Sequence, residues 1–446
     1  MNKTLDLAGI GIGPFNLSLA ALLAPLSNQR SLFFERRSEF SWHPGMMLPD
    51  TQMQTSYLKD LVTPVDPTNP CSFLAYLVKQ GRFYRFINAD FARVPRLEFA
   101  NYLRWAAEQL PNLRFNSEIQ DISFDNNRFT LKIAEAPADV QSRHLVVGTG
   151  MTPYVPNWAK PSLGSSCLHS HHYAVSDLRV TGKRVAIIGG GQSGAEIFLD
   201  LMSGSRGQAT EITWISRRPG LDPLDETAFT NEYFTPDYLR QFHALPPARK
   251  QPIILAHKLT GDGVSPATLQ ALSRYLYAQD FLETQSTRYR ILPNREVYIM
   301  ERSQNAFHLY MRNGFNNENE DSLADVVVFA TGYYYALPTC LTSLKPRMDL
   351  DDDGLPKLDR YYQVPWDGPS EHRIYMQNAG RNSHGVADAQ LSLAAWRSAM
   401  IINHLCGQDI YRVDPEPAPV HWSSHNSLKP TPHFEAAEYK QSSIAK

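Results

Sequence analysis

Two stretches of this chain repeat one pattern: an apolar strand, a glycine-rich turn, a helix and a further strand. The first occupies residues 5–23 and leads to a strand at 31–35; the second occupies 184–202 and leads to one at 211–216. Such a turn lets backbone N–H groups meet a phosphate at a helix N-terminus. Two of them constrain the fold class to α/β, with two Rossmann-like dinucleotide-binding domains. Two more strands, 144–147 and 325–329, also run into glycine turns. Between about 221 and 285 the text turns helical and irregular, with Thr235-Pro236, Pro246-Pro247 and Pro266. It reads as a small, mostly helical substrate-binding insertion in the second unit. The expected domains are 1–170 with 331–414, discontinuous, and 171–330, which carries the insertion. Residues 415–446, with five prolines, read as a disordered tail.

The two turns differ in a useful way. Gly9-Ile-Gly11-Ile-Gly13-Pro14-Phe15-Asn16 has Asn16 where the third fingerprint glycine would stand, and Glu35 ends the next strand. A carboxylate there accepts from a ribose hydroxyl. Gly189-Gly190-Gly191-Gln192-Ser193-Gly194 is a complete fingerprint, and its second strand ends in Ser216-Arg217-Arg218. Two guanidiniums in place of an acid favour a ribose 2′-phosphate. One acid-ended and one arginine-ended unit imply FAD plus NADPH, hence hydride transfer to a flavin.

Composition excludes other classes. The 43 Lys+Arg and 45 Asp+Glu nearly balance, giving no electrostatic reason to expect nucleic acid or an anionic membrane. No run of about 18 apolar residues exists, and the first residues lead directly into a strand pattern, so a cytoplasmic location is expected. The four cysteines are scattered without CxxC or zinc spacing, so no metal is expected. They also supply no redox pair beside a flavin, which removes the disulfide reductases. The stretch before the second turn, 162–173, lacks the F-x-G-x-x-x-H-x-x-x-W signature of Baeyer–Villiger monooxygenases.

What remains is specific. The chain resembles the microbial N-hydroxylating flavoprotein monooxygenases that act on lysine, ornithine or diamines in siderophore biosynthesis, and most resembles the lysine and cadaverine branch. The resemblance is carried by Gly11-Ile-Gly13-Pro-Phe-Asn16, Phe40-Ser-Trp42-His43-Pro-Gly45-Met46 and Met53-Gln54-Thr-Ser-Tyr-Leu-Lys59-Asp60. Asp66-Pro67-Thr68-Asn69-Pro70, the second glycine turn, Asp225-Glu226 through Phe234, Asp325 through Tyr333, and His384-Gly385 through Leu393 follow in family order.

The resemblance implies roles. Gly11, Gly13, Pro14, Asn16 and Glu35 would hold FAD. The proline-stiffened segment 40–70 would wall its ring, with Trp42, His43, Met46 and Gln54 near it and Leu391 closing from the C-terminal side. Gly189, Gly191, Gln192, Ser193, Gly194, Arg217, Arg218, Asn231, Thr331, Gly332 and Tyr333 would serve NADPH. Gln54 and Lys59 are the expected catalytic residues, and Lys59, Asn231, Asp262 and Ser392 the expected substrate contacts. Reduced flavin and O2 would form a C4a-hydroperoxide that a neutral primary amine attacks. With an alkylammonium pKa near ~10.4, roughly one amine in a thousand is neutral near pH 7.5. Where ornithine members carry an asparagine that helps hold the α-carboxylate, this chain has Thr260-Gly261-Asp262-Gly263. An aspartate repels a carboxylate and attracts an ammonium, which leans toward cadaverine; Lys59 leans toward lysine. L-Ornithine, an uncoupled NADPH oxidase and a non-catalytic dinucleotide-binding protein are the alternatives. A homo-oligomer, tetramer or dimer, is expected from the family.

Overall fold

The computed structural model describes residues 4–283, 287–414 and 418–424. Most of the expected tail lies outside these residues. Within 418–424, Trp422 packs its ring 5.3 Å from Tyr233 and 5.0 Å from Tyr238, so this piece lies on the insertion.

Two sheets, the first mixed around a parallel centre and the second parallel, form the frame. In the first, Leu113–Arg114, Ser31–Phe34, Leu5–Ile10 and Val140–Val147 lie side by side. The Val140–Val147 strand is shared along its length. Its first half pairs antiparallel with Arg128–Ile133, and its second half pairs parallel with Ile374–Met376, from the far end of the chain. The second sheet runs Arg288–Leu292, Glu211–Ile215, Arg184–Ile188, Val326–Phe329 and Cys167–His169, all parallel. Apart from the edge strand Arg288–Leu292, its strands are largely buried on both faces, which is why they read as continuous apolar runs. The Cys167–His169 strand pairs with Val326–Phe329 and so belongs to the second sheet. The boundary drawn at residue 170 therefore falls a strand too late: a three-residue strand leaves too short an apolar pattern to reveal its partner.

The insertion forms the Thr230–Phe234 3-10 turn and the Pro236–His243, Pro247–Ala256 and Pro266–Phe281 helices. Thr235 and Ser265 cap two of these with their hydroxyls, and proline at the first position presets the backbone. The insertion spans both units. His243 Nε2 lies 3.1 Å from the Leu358 carbonyl, and Lys250 Nζ donates to Ser383 O at 3.2 Å, both in the first unit. The Pro266–Phe281 helix is instead fastened to the second, through Gln192.

Candidate active site

The first glycine turn sits between the carboxyl ends of two strands, the usual switch point for a ligand in such sheets. Gly11 has φ +84°, and a Cβ there would lie 2.7 Å from the Gly148 carbonyl oxygen. The Pro14–Leu23 helix begins at Gly13 with no side-chain cap, and a Cβ on Gly13 would meet nothing closer than 3.8 Å. An uncapped helix start with room at Gly13 is what a pyrophosphate cradle requires. Glu35 reaches this turn, its carboxylate accepting from Ile12 N at 3.0 Å and Arg37 N at 3.1 Å.

Asn16 explains its own departure from the fingerprint. Its side chain is fully buried; Nδ2 donates to the Ile10 and Gly11 carbonyls at 3.1 and 2.8 Å, and Oδ1 accepts from Gln377 at 2.7 Å. It fits because Gly148 has no Cβ, which would lie 2.7 Å from the amide. Asn16 thus braces the turn from behind.

The second turn repeats the logic. Gly189 has φ +134°, and its Cβ would fall 2.1 Å from Ala330 O. Gly191 opens the Gln192–Met202 helix uncapped, with nothing within 4 Å of a Cβ. Trp214 Nε1 donates to Gly189 O at 2.7 Å, and a Cβ on Gly194 would lie 2.2 Å from that oxygen and 2.9 Å from the indole nitrogen, so the third glycine makes room for both. The Gln192 side chain is spoken for: Nε2 donates to Glu196 Oε1 and Thr268 Oγ1, both at 2.9 Å, and Oε1 accepts from Ser265 N at 2.7 Å. Ser193 stands in the first turn of this helix. Arg217 is exposed, but Arg218 is paired with Asp262, Nη2 to Oδ1 at 2.6 Å, and Lys258 adds a contact at 3.7 Å.

Around the crossing between the units lies a ring cluster. His43, in the left-handed region at φ 45°, stands 6.3 Å from Tyr333, which is 5.3 Å from His169 and 6.0 Å from His171. His169 Nδ1 accepts from His171 N at 3.1 Å, so its proton sits on Nε2, which donates to the Gly332 carbonyl at 3.1 Å. Desolvation holds His169 down to about 4, and His43 likewise to about 4, with Arg96, His171 and Arg37 adding to the latter. His43 nonetheless keeps an exposed surface. Thr331 Oγ1 donates to the Tyr154 carbonyl, and Gly332 takes φ +82°. Trp42 packs edge-on to His43 and Phe99. Met46 is buried among Leu48, Leu168 and Tyr173, in the core of the second unit. Leu391 packs on the first core, beside the cavity described next.

That cavity, about 200 Å³, is where the stiff 50s segment meets the insertion and the segment 390–392. Gln54, Lys59, Asn231 and Ser392 line it together, with Arg93, Asp225, Glu226, Thr260 and Gln390. Asp60 fixes the segment: its buried carboxylate accepts from Val62 N, Thr63 N, Thr63 Oγ1 and Phe73 N at 2.6–2.9 Å. Arg93 Nη1 donates to Gln54 O at 2.8 Å and Nη2 to Glu226 Oε2 at 2.9 Å. The Thr230 hydroxyl bonds Asp225 at 2.7 Å and holds its carboxyl below the usual range, so it is anionic at neutral pH. Ser392 Oγ is buried with no hydrogen-bond partner among the described residues.

Asp262 is not in this lining. Gly263 packs on the Leu224 backbone, where a Cβ would lie 2.3 Å from Leu224 N, and the tight crossing leaves Asp262 on Arg218 at the edge of the second sheet. Its charge is therefore spent on the arginine rather than on an amine in the cavity. Sequence reasoning passed over Arg93, Asp225, Glu226 and Gln390 as site residues. Three of them stand inside the motif blocks that carried the resemblance, which was a usable signal. Arg93 has no motif; only its ion pair across 133 residues brings it in.

Two nucleotide cradles, one ending in acid and one in arginine, occur with an open polar cavity: this is a flavoprotein of the two-dinucleotide class. Residues 3–335 match the family described as L-lysine 6-monooxygenase/L-ornithine 5-monooxygenase, and the chain belongs to it. It is 41% identical to the L-lysine N6-monooxygenase of Escherichia coli, over 95% of this chain and 100% of that one. The fold superposes on the FAD-bound cadaverine monooxygenase of desferrioxamine biosynthesis from Erwinia amylovora. The TM-score is 0.88 at 27% identity, covering 96% of this chain and 100% of the other. It also matches the Kutzneria ornithine N-hydroxylase with reduced FAD, NADP+ and L-ornithine, at TM-score 0.83 and 29% identity, over 91% and 99% of the two chains. The protein is a flavin-dependent monooxygenase that uses FAD and NADPH. No helix among the described residues is long and apolar enough to cross a membrane.

Proposed function

We propose that the enzyme N-hydroxylates the terminal amine of L-lysine, as an early step of hydroxamate siderophore biosynthesis. The observation that carries this is the mixed charge of the cavity lining. Arg93 and Glu226 pair with each other there, and Lys59 and Asp225 add a further positive and a further negative charge to the lining. An amino acid brings both an α-carboxylate and an α-ammonium, and such a lining can answer both. A diamine has no carboxylate to match the cations. The 41% identity to a lysine enzyme supports the same reading. The likeness to a cadaverine enzyme and the two cavity acids favour cadaverine as the second reading. The lean toward cadaverine that rested on Asp262 is given up, since that side chain pairs with Arg218.

FAD, when bound, takes hydride from NADPH and activates O2 for transfer to the amine. The chain does the rest. Its glycine cradles seat the two cofactors, with Arg217 as the exposed cation for the 2′-phosphate. The cavity holds the substrate's far end and aims the reacting nitrogen. Burial of that nitrogen biases it toward its neutral form, because desolvation disfavours an ammonium. Gln54 and Ser392 offer neutral partners that do not add charge. A cytoplasmic homo-oligomer completes the reading, on the family resemblance alone.

Replacement of Lys59 tests it. Lys59→Met should raise KM for L-lysine at least tenfold and leave that for cadaverine within about threefold. Equal losses for both amines would remove Lys59 from carboxylate recognition.

A further inference from the structure

We infer that Glu196 is a positioning residue that sets how the NADPH-bearing helix is seated against the flavin wall. Glu196 lies one turn into the Gln192–Met202 helix, and its side chain is 6% exposed. Its carboxylate takes a two-pronged bond from Arg96, Nη2 to Oε1 at 2.8 Å and Nη1 to Oε2 at 3.1 Å. Arg96 begins the Arg96–Gln109 helix of the first unit. The same Nη1 donates to the Met46 carbonyl at 2.9 Å, in the segment expected to wall the flavin. On its other side Glu196 Oε1 accepts from Gln192, whose amide also holds Ser265 N and Thr268 Oγ1 at the start of the Pro266–Phe281 helix.

One buried carboxylate thus joins three bodies. They are the flavin-side segment at Met46, the first turn of the NADPH helix, and the insertion. Direct packing runs beside it: a Cβ on Gly45 would fall 1.8 Å from His171 O, and Ala174 N donates to Gly45 O at 2.8 Å. That second contact fixes the approach of the units, while the charged chain fixes their rotation. A bidentate guanidinium–carboxylate pair is planar and tolerates little twist. Burying two charges is not needed for stability, since apolar residues of like volume commonly serve as well. Its presence at this junction is therefore explained by geometry: hydride transfer demands that the nicotinamide carbon approach the flavin ring to about 3–3.5 Å in the right orientation.

Two variants of the FAD-loaded enzyme test the inference. Glu196→Gln keeps the shape and removes the charge. Arg96→Met/Glu196→Met removes the pair without leaving a charge buried. In both, the limiting rate of anaerobic flavin reduction should fall at least tenfold, while the NADPH dissociation constant and FAD content stay within about threefold. Independently of turnover, amide hydrogen exchange should rise in the Pro266–Phe281 helix and in the segment 44–47 together. Wild-type reduction rates in the double variant would overturn the inference. So would unchanged exchange in either segment, or a loss confined to NADPH affinity.

Discussion

Acid should unfold this enzyme through particular histidines. His144 and His169 are 4% and 3% exposed, and each accepts a backbone hydrogen bond at Nδ1, from Arg373 N and His171 N at 3.1 Å. Burial, the largest cause in both, lowers His144 to about 3 and His169 to about 4. Unfolded, each returns to about 6.5. The folded pKa lies below the unfolded one, so the unfolded state binds more protons between them, and stability falls as pH drops from about 6.5 toward the folded values. Above pH 6.5 the two contribute no slope. At pH 5 each has lost about 2 kcal/mol, or about 4 kcal/mol together, a large part of an ordinary domain's stability. Carboxylates titrate in the same range, so the comparison is with a variant. His144→Gln keeps an acceptor and removes the titration. Chemical denaturation of the holoenzyme at pH 7.5 and pH 5 should show about 2 kcal/mol less acid sensitivity in the variant, with about one proton fewer taken up on unfolding at pH 5. Equal slopes for the two proteins would refute the argument, and would mean that His144 is charged or solvated in the fold.

Three further outcomes follow from local geometry. Gly189→Ala would push a methyl to 2.1 Å from Ala330 O at φ +134°, so NADPH affinity should fall at least tenfold by titration while the flavin spectrum and FAD content persist. Asp60→Ala strands three backbone N–H groups and the Thr63 hydroxyl, and should cost roughly 3–5 kcal/mol in thermal or urea unfolding, with loss of amine turnover as Lys59 is released. Asp262→Asn should leave the ratio of kcat/KM for lysine and cadaverine within about twofold, because its side chain sits on Arg218 and not in the cavity.

The nucleotide cradles were legible because their backbone leaves the residue no choice. Gly11 and Gly189 occupy positive φ against a facing carbonyl, and the strands beside them are apolar on both faces. Glu35 reaches the first turn from the end of the next strand, a place that strand length sets. Asn16 was visible as a departure, but its cause lies in Gly148 and in Gln377, 361 residues away. Asp262 shows where local reading stops. Its spacing matched a substrate position of the family, and only the Gly263–Leu224 crossing decides which way it faces. Arg93 and Glu226, and likewise Arg96 and Glu196, meet across 133 and 100 residues. Long-range charge pairing of that kind leaves no periodic trace, whereas the apolar rhythm of strands and helices does.

The central claim is that this cavity takes an amino acid at its terminal amine. The most direct measurement is hydroxylamine formed per NADPH oxidised by the wild-type enzyme, with L-lysine, cadaverine and L-ornithine compared at matched concentrations. Near-stoichiometric hydroxylamine is expected with L-lysine, at a kcat/KM at least tenfold above that for cadaverine, with L-ornithine lower still. Tighter coupling and higher kcat/KM with cadaverine would contradict it.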